Sequence, residues 1–389
     1  MLLLLTGAVA VHSEELSEQS DQYTDLQAPQ PHYTNTETFL YRLDRFIQKI
    51  LLNELDSSYL TFHENCWRLS FTNSETGNLT GLQAYDIINK GNVALNIHSR
   101  PSVDLGFDIN YRGISLSFAW DPLHSYTQKF NFAFYGRTCG IEISHYTYAN
   151  MSGDFQPVGN NPPIIFKDND MEIKTTLINL FYAFNYKKYS PSASIRQGYR
   201  QLKPAGSFLV NAQYRGNSFV TVNENITEGL NYINEINLYQ IALGAGYGYN
   251  YTPNRGKVML HISAMPMIVV FNHAVFTWND KIGDTPIQLS SVPKPRFPVY
   301  FTGTARASVA WEANKWVSLA AYGQFNNIRF RTKETQETEN LRLNSWDWSV
   351  NILIGVRFGV KKERVKAVLE AHDEKARNGA KVFLPFLDK

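Results

Sequence analysis

Residues 102–120, SVDLGFDINYRGISLSFAW, carry an apolar side chain at every second position for longer than one ordinary strand. Strand side chains alternate between two faces, so Val103, Leu105, Phe107, Ile109 and Tyr111 share one face and Ser102, Asp104, Gly106, Asp108 and Asn110 the other. After Arg112-Gly113 the alternation resumes with Ile114, Leu116, Phe118 and Trp120 against Ser115, Ser117 and Asp121. A two-residue turn there pairs Tyr111 with Ile114, Ile109 with Leu116, Phe107 with Phe118 and Leu105 with Trp120, so the two apolar faces coincide. Such a turn calls for positive φ at both central residues, which suits Arg less than Asn. A half-buried strand of a soluble sandwich alternates in the same way, so this hairpin alone leaves both settings open.

The rest of the chain repeats the pattern. Trp67, Leu69 and Phe71 alternate with Arg68, Ser70 and Thr72, and Val93, Leu95 and Ile97 with Asn92, Asn96 and His98. Similar runs cover Phe130 to Phe134, Ile178 to Tyr186, Phe208 to Tyr214, Ile241 to Tyr251 and Trp346 to Phe358. A second hairpin turns through Glu312, Ala313, Asn314 and Lys315 and pairs Trp311 with Val317, Val309 with Leu319 and Ala307 with Ala321. A tilted strand needs roughly 9–11 residues to cross a bilayer, and several runs reach that length. They number about 12 (12–14), with the segment after Pro191 the weakest. Long connections at 73–91, 149–173, 216–236 and 277–296 do not all fall at one end, so one strand assignment conflicts with the rest.

Closure into a cylinder satisfies every backbone group without an edge, and it lets long strands present apolar side chains to lipid. The expected fold is therefore all-β, a closed antiparallel transmembrane β-barrel with a short N-terminal helix and a C-terminal helical tail. A soluble secreted β-protein is the distant alternative. Mean hydropathy of −0.30 does not weigh against a barrel, because lumen-facing polar residues offset the lipid-facing ones. A formal charge of +2 gives no basis for a nucleic-acid partner.

The organisation follows. Residues 1–13, MLLLLTGAVAVHS, form a signal-like segment in which Ala8-Val9-Ala10 offers small residues for cleavage, although no Lys or Arg precedes the apolar run. Residues 14–60 hold a polar stretch and an amphipathic helix, with Phe39, Leu40, Leu43, Phe46, Ile47, Ile50 and Leu51 at helical spacing behind a Thr36 cap. The barrel occupies 61–360. Residues 361–389 are a periplasmic extension, a helix with Val365, Val368 and Leu369 on one face, to which a periplasmic partner is a possible match. Cys66 and Cys139, far apart in strand-like segments, read as free structural thiols. Four sequons, at Asn78, Asn150, Asn225 and Asn250, are taken as chance matches.

Several segments resemble the successive motifs of an uncharacterised bacterial outer-membrane β-barrel family, known only as a domain of unknown function. They are LDSSYLTFHENCWRLSF, NYRGISLSFAW, YAFNYKKYSPSASIRQGYRQLKPAGSFLV, LGAGYGYNYTP and LIGVRFGV, and they span residues 50 to 360. The most specific part is Phe184-Asn185 followed by the turn Ala205-Gly206-Ser207, while Lys203-Pro204 departs from the Lys/Ser-rich run of the pattern. The resemblance implies an architecture, a place in the bacterial outer membrane and contact with outer-membrane lipid. It implies no activity.

Chemistry is sparse. The glycines of GAGYG continue a strand instead of opening a helix, so they make room for bulky lumen side chains rather than cradle a nucleotide. His261 and Ser263 share a strand face, the spacing of outer-membrane phospholipases, but they sit opposite Val258, Leu260 and Ile262 and so point to the lumen. No Asn or Asp is evident to orient the histidine. A lipid-modifying enzyme built on His261 and Ser263 is the alternative function. Asp168, Asp170 and Glu172 lack the glycine and distal Glu of a calcium loop. No metal or cofactor is expected. The lumen-lining candidates are Asp104, Asp108, Glu142, Arg215, His261, Arg306, Asp347 and Arg357, joined by Lys129 and Lys187 in a mixture of signs that either locks together or lines a selective pore. The expected role is non-enzymatic: passage or binding of a small solute or lipid, or envelope structure.

Overall fold

The computed structural model describes residues 55–359 apart from 64, 66, 87–89, 101, 124–126, 137, 160–161, 168, 223–232, 279–286, 292–299 and 332–337. The signal-like segment, the helix expected near residues 36–52 and the extension 361–389 lie outside the described residues, as do Cys66 and Asp168.

The strands are β1 (Leu60–Phe62), β2 (Trp67–Asp86), β3 (Gly91–Ser99), β4 (Ser102–Tyr111), β5 (Ile114–Trp120), β6 (Thr127–Tyr135), β7 (Cys139–Tyr148), β8 (Met151–Gln156) and β9 (Ile164–Phe166). They continue as β10 (Met171–Ala183), β11 (Tyr199–Gln201), β12 (Ala205–Thr221), β13 (Ile233–Tyr251), β14 (Val258–Trp278), β15 (Ile287–Ser291), β16 (Tyr300–Glu312), β17 (Val317–Arg331) and β18 (Thr338–Phe358). One short helix, α1 (Pro191–Ile195), lies between β10 and β11. Twelve strands, β2, β4, β5, β6, β7, β10, β12, β13, β14, β16, β17 and β18, pair antiparallel in that order, and β18 pairs back on β2 to close a barrel.

The first hairpin forms with the register read from the sequence, from Tyr111↔Ile114 to Leu105↔Trp120. The left-handed residue of its turn is Arg112, at φ 54°. In the second hairpin the register slips by two, to Trp311↔Leu319 and Val309↔Ala321. Its turn lies one residue further along, at 313–316, where the Asn314 side-chain oxygen accepts from the N–H of both Trp316 and Val317, at 2.7 and 2.9 Å. A slip of two keeps every side chain on its own face, so alternation does not detect it.

The stretch from residue 73 is not a loop. β2 runs on to Asp86, and its outward Asn73, Glu75 and Gly77 break the apolar rhythm without breaking the strand. The indole of Trp348 lies over Gly77 and supplies the apolar cover there. β3, taken as a wall strand, pairs instead with the upper part of β2, from Leu79↔His98 to Asp86↔Gly91, and continues into β8 and β9. With that correction the short turns at 112–113, 136–138, 252–257 and 313–316 all lie at one end and the long connections at the other. The run Ile178 to Tyr186 is likewise displaced, since β10 starts at Met171 and ends at Ala183.

Burial along the strands is the reverse of a soluble fold. Val103, Phe107 and Phe208 are 53%, 49% and 69% exposed, whereas Asp104, Asp108 and Asn211 are buried. Exposed Leu, Ile, Val, Phe and Trp side chains recur on every one of the strands β2, β4, β5, β12, β14, β16 and β18. Water would oppose so large an apolar belt, and lipid tails accept it. The soluble β-protein is thereby excluded.

Towards the long-loop end the polarity switches within single strands. On β10 the outward residues change from Tyr182, Leu180 and Ile178 to Thr176, Lys174 and Glu172, the last two ion-paired at 3.1 Å. The inward residues Ile173 and Met171 become apolar at the same height, and they join Phe219, Ile236, Leu238, Ile328, Phe330 and Leu343 in a buried cluster with Met151, Phe155 and Phe166. The strands therefore outrun the lipid belt and build an upper tier with an apolar core.

Candidate functional site: the lumen and its plug

At the short-turn end the segment 184–204 folds back as a plug. Asn185 closes its neck: the backbone N–H donates to Ser207 Oγ at 2.9 Å and the side-chain amide to the Gly206 carbonyl at 2.8 Å. These contacts join Phe184-Asn185 to Gly206-Ser207, and Ala205-Gly206-Ser207 opens strand β12 and is not a turn. Pro191 starts α1, where its missing N–H costs nothing. β11 then pairs with β1 to form a small two-stranded sheet.

The plug is tied to the wall all round the ring. Arg68 Nη1 on β2 donates to Gln197 Oε1 at 2.7 Å, and Arg357 Nη2 on β18 donates to the Gln197 carbonyl at 3.1 Å. Gln197 Nε2 donates to the Leu319 carbonyl on β17 at 3.3 Å, Ser308 Oγ on β16 to the Ser194 carbonyl at 3.2 Å, and Asn250 Nδ2 on β13 to the Ser190 carbonyl at 3.0 Å. Arg196 lies 3.6 Å from Asp108 on β4. Gly248 on β13 leaves the space that Tyr189 fills: a Cβ there would stand 2.1 Å from the tyrosine oxygen. The glycines of GAGYG thus serve packing, as expected.

All eight lumen candidates are buried inside the barrel, and their charges are paired. Arg306 grips Glu142 with both terminal nitrogens, at 2.9 and 2.5 Å. Asp108 takes Arg68 at 2.6 Å and the Ser115 hydroxyl at 2.7 Å. Asp347 pairs with Arg215, and Asp104 with Lys129, which also donates to Ser74 at 2.8 Å. Arg357 sits directly across the strand pair from Arg68 and 3.9 Å from Glu312. Lys187 does not join them; it is exposed in the turn after β10. Arg68 also belongs to the lumen, on the face its alternation with Trp67 and Leu69 gives it, and Arg196 and Gln197 belong to a plug with no periodic signal. Between the plug and the upper apolar cluster there remains a cavity of about 80 Å³, walled in part by Lys129, Glu142, Tyr146, Arg196, Arg306 and Asp347. That is room for a few waters. The signs are therefore interleaved, with Asp108 shared by Arg68 and Arg196, and they do not form a like-signed constriction.

His261 does have an orienting partner. The β13–β14 register sets Asn250 directly opposite it, with Asn250 Oδ1 2.8 Å from His261 Nδ1, and His261 Nε2 lies 3.1 Å from Ser263 Oγ. With the proton assigned to Nδ1, the ring donates to Asn250 and accepts from Ser263. The relay is buried, Ser263 being 4% exposed, and the Tyr189 ring stacks over the imidazole at 6.4 Å. Neither His261 nor Ser263 lines the cavity. Among the described residues no group of three or more His, Cys, Asp or Glu is placed to hold a metal. Asp170 accepts the Lys167 N–H at 2.7 Å, a turn contact.

At the mouth, His63 Nδ1 meets Glu312 Oε1 at 2.9 Å. Burial, reinforced by the Arg357 charge, pushes the imidazole down to about 4, so it is neutral at physiological pH.

No curated protein matches the chain. Among solved structures it is similar to the outer membrane protease OmpT of Escherichia coli, at 8% identity and TM-score 0.41, covering 77% of this chain and 98% of that one. It is also similar to the translocator domain of the autotransporter NalP from Neisseria meningitidis (12% identity, 83% and 97% covered, TM-score 0.27). A third is the outer membrane protein OprG from Pseudomonas aeruginosa (8% identity, 77% and 99% covered, TM-score 0.28). Residues 54–358, the plugged barrel from its mouth to its last strand, match the family described as a domain of unknown function (DUF4421), and the chain belongs to that family.

Proposed function

We propose that this chain is a bacterial outer-membrane β-barrel with a non-enzymatic role, the controlled passage of a small polar solute through a lumen that the segment 184–204 closes. One observation carries the reading: the plug is held largely by hydrogen bonds and ion pairs to a polar wall. Such contacts exchange with water at about 1 kcal/mol net each, so the polar side of the plug can leave at modest cost, and its apolar contact with the wall is the small cluster of Tyr189 with Leu209 and Met265. Planar-bilayer conductance tests it. The native chain stays closed or opens rarely, and replacing residues 189–202 by a short glycine linker gives steady ion conductance. Silence from that variant, once its folded barrel is verified by heat-modified mobility, leaves a closed envelope component in place of a conduit.

The Asn250–His261–Ser263 relay favours a second reading, an ester hydrolase acting on lipid that reaches the lumen once the plug is displaced. Labelling of Ser263 by a fluorophosphonate, lost in Ser263→Ala, supports it. Absence of labelling in the glycine-linker variant removes it.

A further inference from the structure

The outer face of β17, β18, β2 and β3 carries a second candidate site, at the upper border of the lipid belt. The cross-strand pairs there run Phe325↔Trp348, Asn327↔Trp346 and Arg329↔Asn344, and on the other side Trp346↔Leu79, Asn344↔Gly81 and Arg342↔Gln83. Leu79 and Gly81 in turn face His98 and Asn96 on β3. Ascending the wall, the outward surface passes from indole and leucine to amides and then to arginines. Trp346 packs on Phe325 with ring centroids 5.1 Å apart, which fixes the aromatic edge. Above it Arg329 and Arg342 are exposed on an open cleft of about 760 Å³, which Leu79 and Trp346 also line and among whose described residues no carboxylate stands.

Those two charges lack, among the described residues, the carboxylate partners that the lumen cations and the outward Lys174 have. The lumen cations are matched to carboxylates, and outward Lys174 is matched to Glu172. Among the described residues no carboxylate pairs with Arg329 or Arg342. An occupant that suits the cleft brings negative charge to the upper rim and hydrocarbon to the lower. A guanidinium binds phosphate through two parallel N–H donors, and tryptophan favours the depth at which headgroup meets tail.

We infer that Arg329 and Arg342 form a binding site for the phosphorylated headgroup of a membrane lipid, whose acyl chains lie against Leu79 and Trp346. The inference rests on the outward belt being immersed in lipid, and it does not depend on the plug or on conductance. Native mass spectrometry of the full chain in neutral detergent provides the test, with diphosphorylated lipid A as probe, its dephosphorylated form as comparison and inorganic phosphate as competitor. Each arginine near an anionic headgroup contributes about fivefold in affinity, so the phosphorylated lipid should bind roughly 25-fold tighter than the dephosphorylated one. Arg329→Gln with Arg342→Gln should abolish that ratio, and Lys174→Gln, on another part of the outer face, should keep it. Both arginines are exposed, so the variants retain the fold, which heat-modified mobility verifies. Equal binding of the two lipids, or an unchanged ratio in the double variant, overturns the inference. So does complete displacement by inorganic phosphate at matched concentration, which would make this a free-anion site. Loss of lipid binding with conductance intact removes this site alone, and silence in planar bilayers with lipid binding intact removes only the conduit.

Discussion

The lower and upper parts of the barrel are built from the same strands under opposite rules. On β12 the lower outward residues are Phe208, Val210 and Ala212 over an inward Asn211 and Gln213, whereas the upper outward residues include Gly216 and Ser218 over an inward Phe219. The solvent outside sets the rule. Where lipid surrounds the wall, polar groups retreat to the lumen and pair; where water surrounds it, apolar groups retreat and pack. A period of two serves both, and only the phase changes.

The largest expected effect separates the two parts from inside. Phe219→Ala opens a cavity in the upper cluster and should lower stability by about 3–5 kcal/mol in urea unfolding from vesicles. A value below about 1 kcal/mol would mean that the upper tier has no packed core. Next comes the outer face. Ile352→Arg places a charge in the belt and should cost about 2–4 kcal/mol, while Ser218→Arg, outward on the upper tier, should stay within about 0.5 kcal/mol. Similar costs at both positions would erase the boundary between them.

Acid should act on the lower mouth. His63 is neutral when folded, with its proton affinity pushed down to about 4, and ordinary when unfolded, so the unfolded chain binds more protons as pH falls from 6.5 towards 4. Its contribution is complete above pH 6.5, and about 2 kcal/mol of it should be lost at pH 5. His63→Gln should remove that part of the pH dependence, seen as a smaller difference between urea midpoints at pH 7.5 and pH 5. The smallest effect concerns the β4–β5 turn. Arg112 holds a left-handed φ of 54°, and Arg112→Asn should stabilise the barrel by about 1 kcal/mol or less.

How much of this was legible in the sequence depends on whether a residue belongs to an alternating face. The β4–β5 hairpin was readable to the residue because apolar alternation and a two-residue turn leave a single register. The β16–β17 hairpin was readable to its face but not its register, since a slip of two conserves parity. Asn73, Glu75 and Gly77 hid the length of β2, because the apolar side chains at that height belong to the neighbouring strand β18, where Ile352, Val350 and the Trp348 indole stand opposite them. The lumen charges were legible as inward positions, and their pairing was not, for it depends on which strands face each other across the ring. The same limit hid the role of Asn250: its face was known, and only the register of β13 on β14 brings it to His261. The plug left no trace in the periodicity. Its motif was recognisable by resemblance, without the geometry that explains it.

Gln197 holds a position of more consequence than its neutral side chain suggests. Arg68 and Arg357 come from the two strands that meet last when the sheet is rolled up, and they stand directly opposite each other with like charge. The glutamine's two carbonyl oxygens lie between those guanidiniums, accepting from Arg68 and from Arg357. The stopper is therefore also the clasp of the seam: its Gln197 joins the two edge strands, while Asp108 and Glu312 on the wall offset their like charges. One residue of the central segment thus ties the seating of the stopper to the strength of the closure.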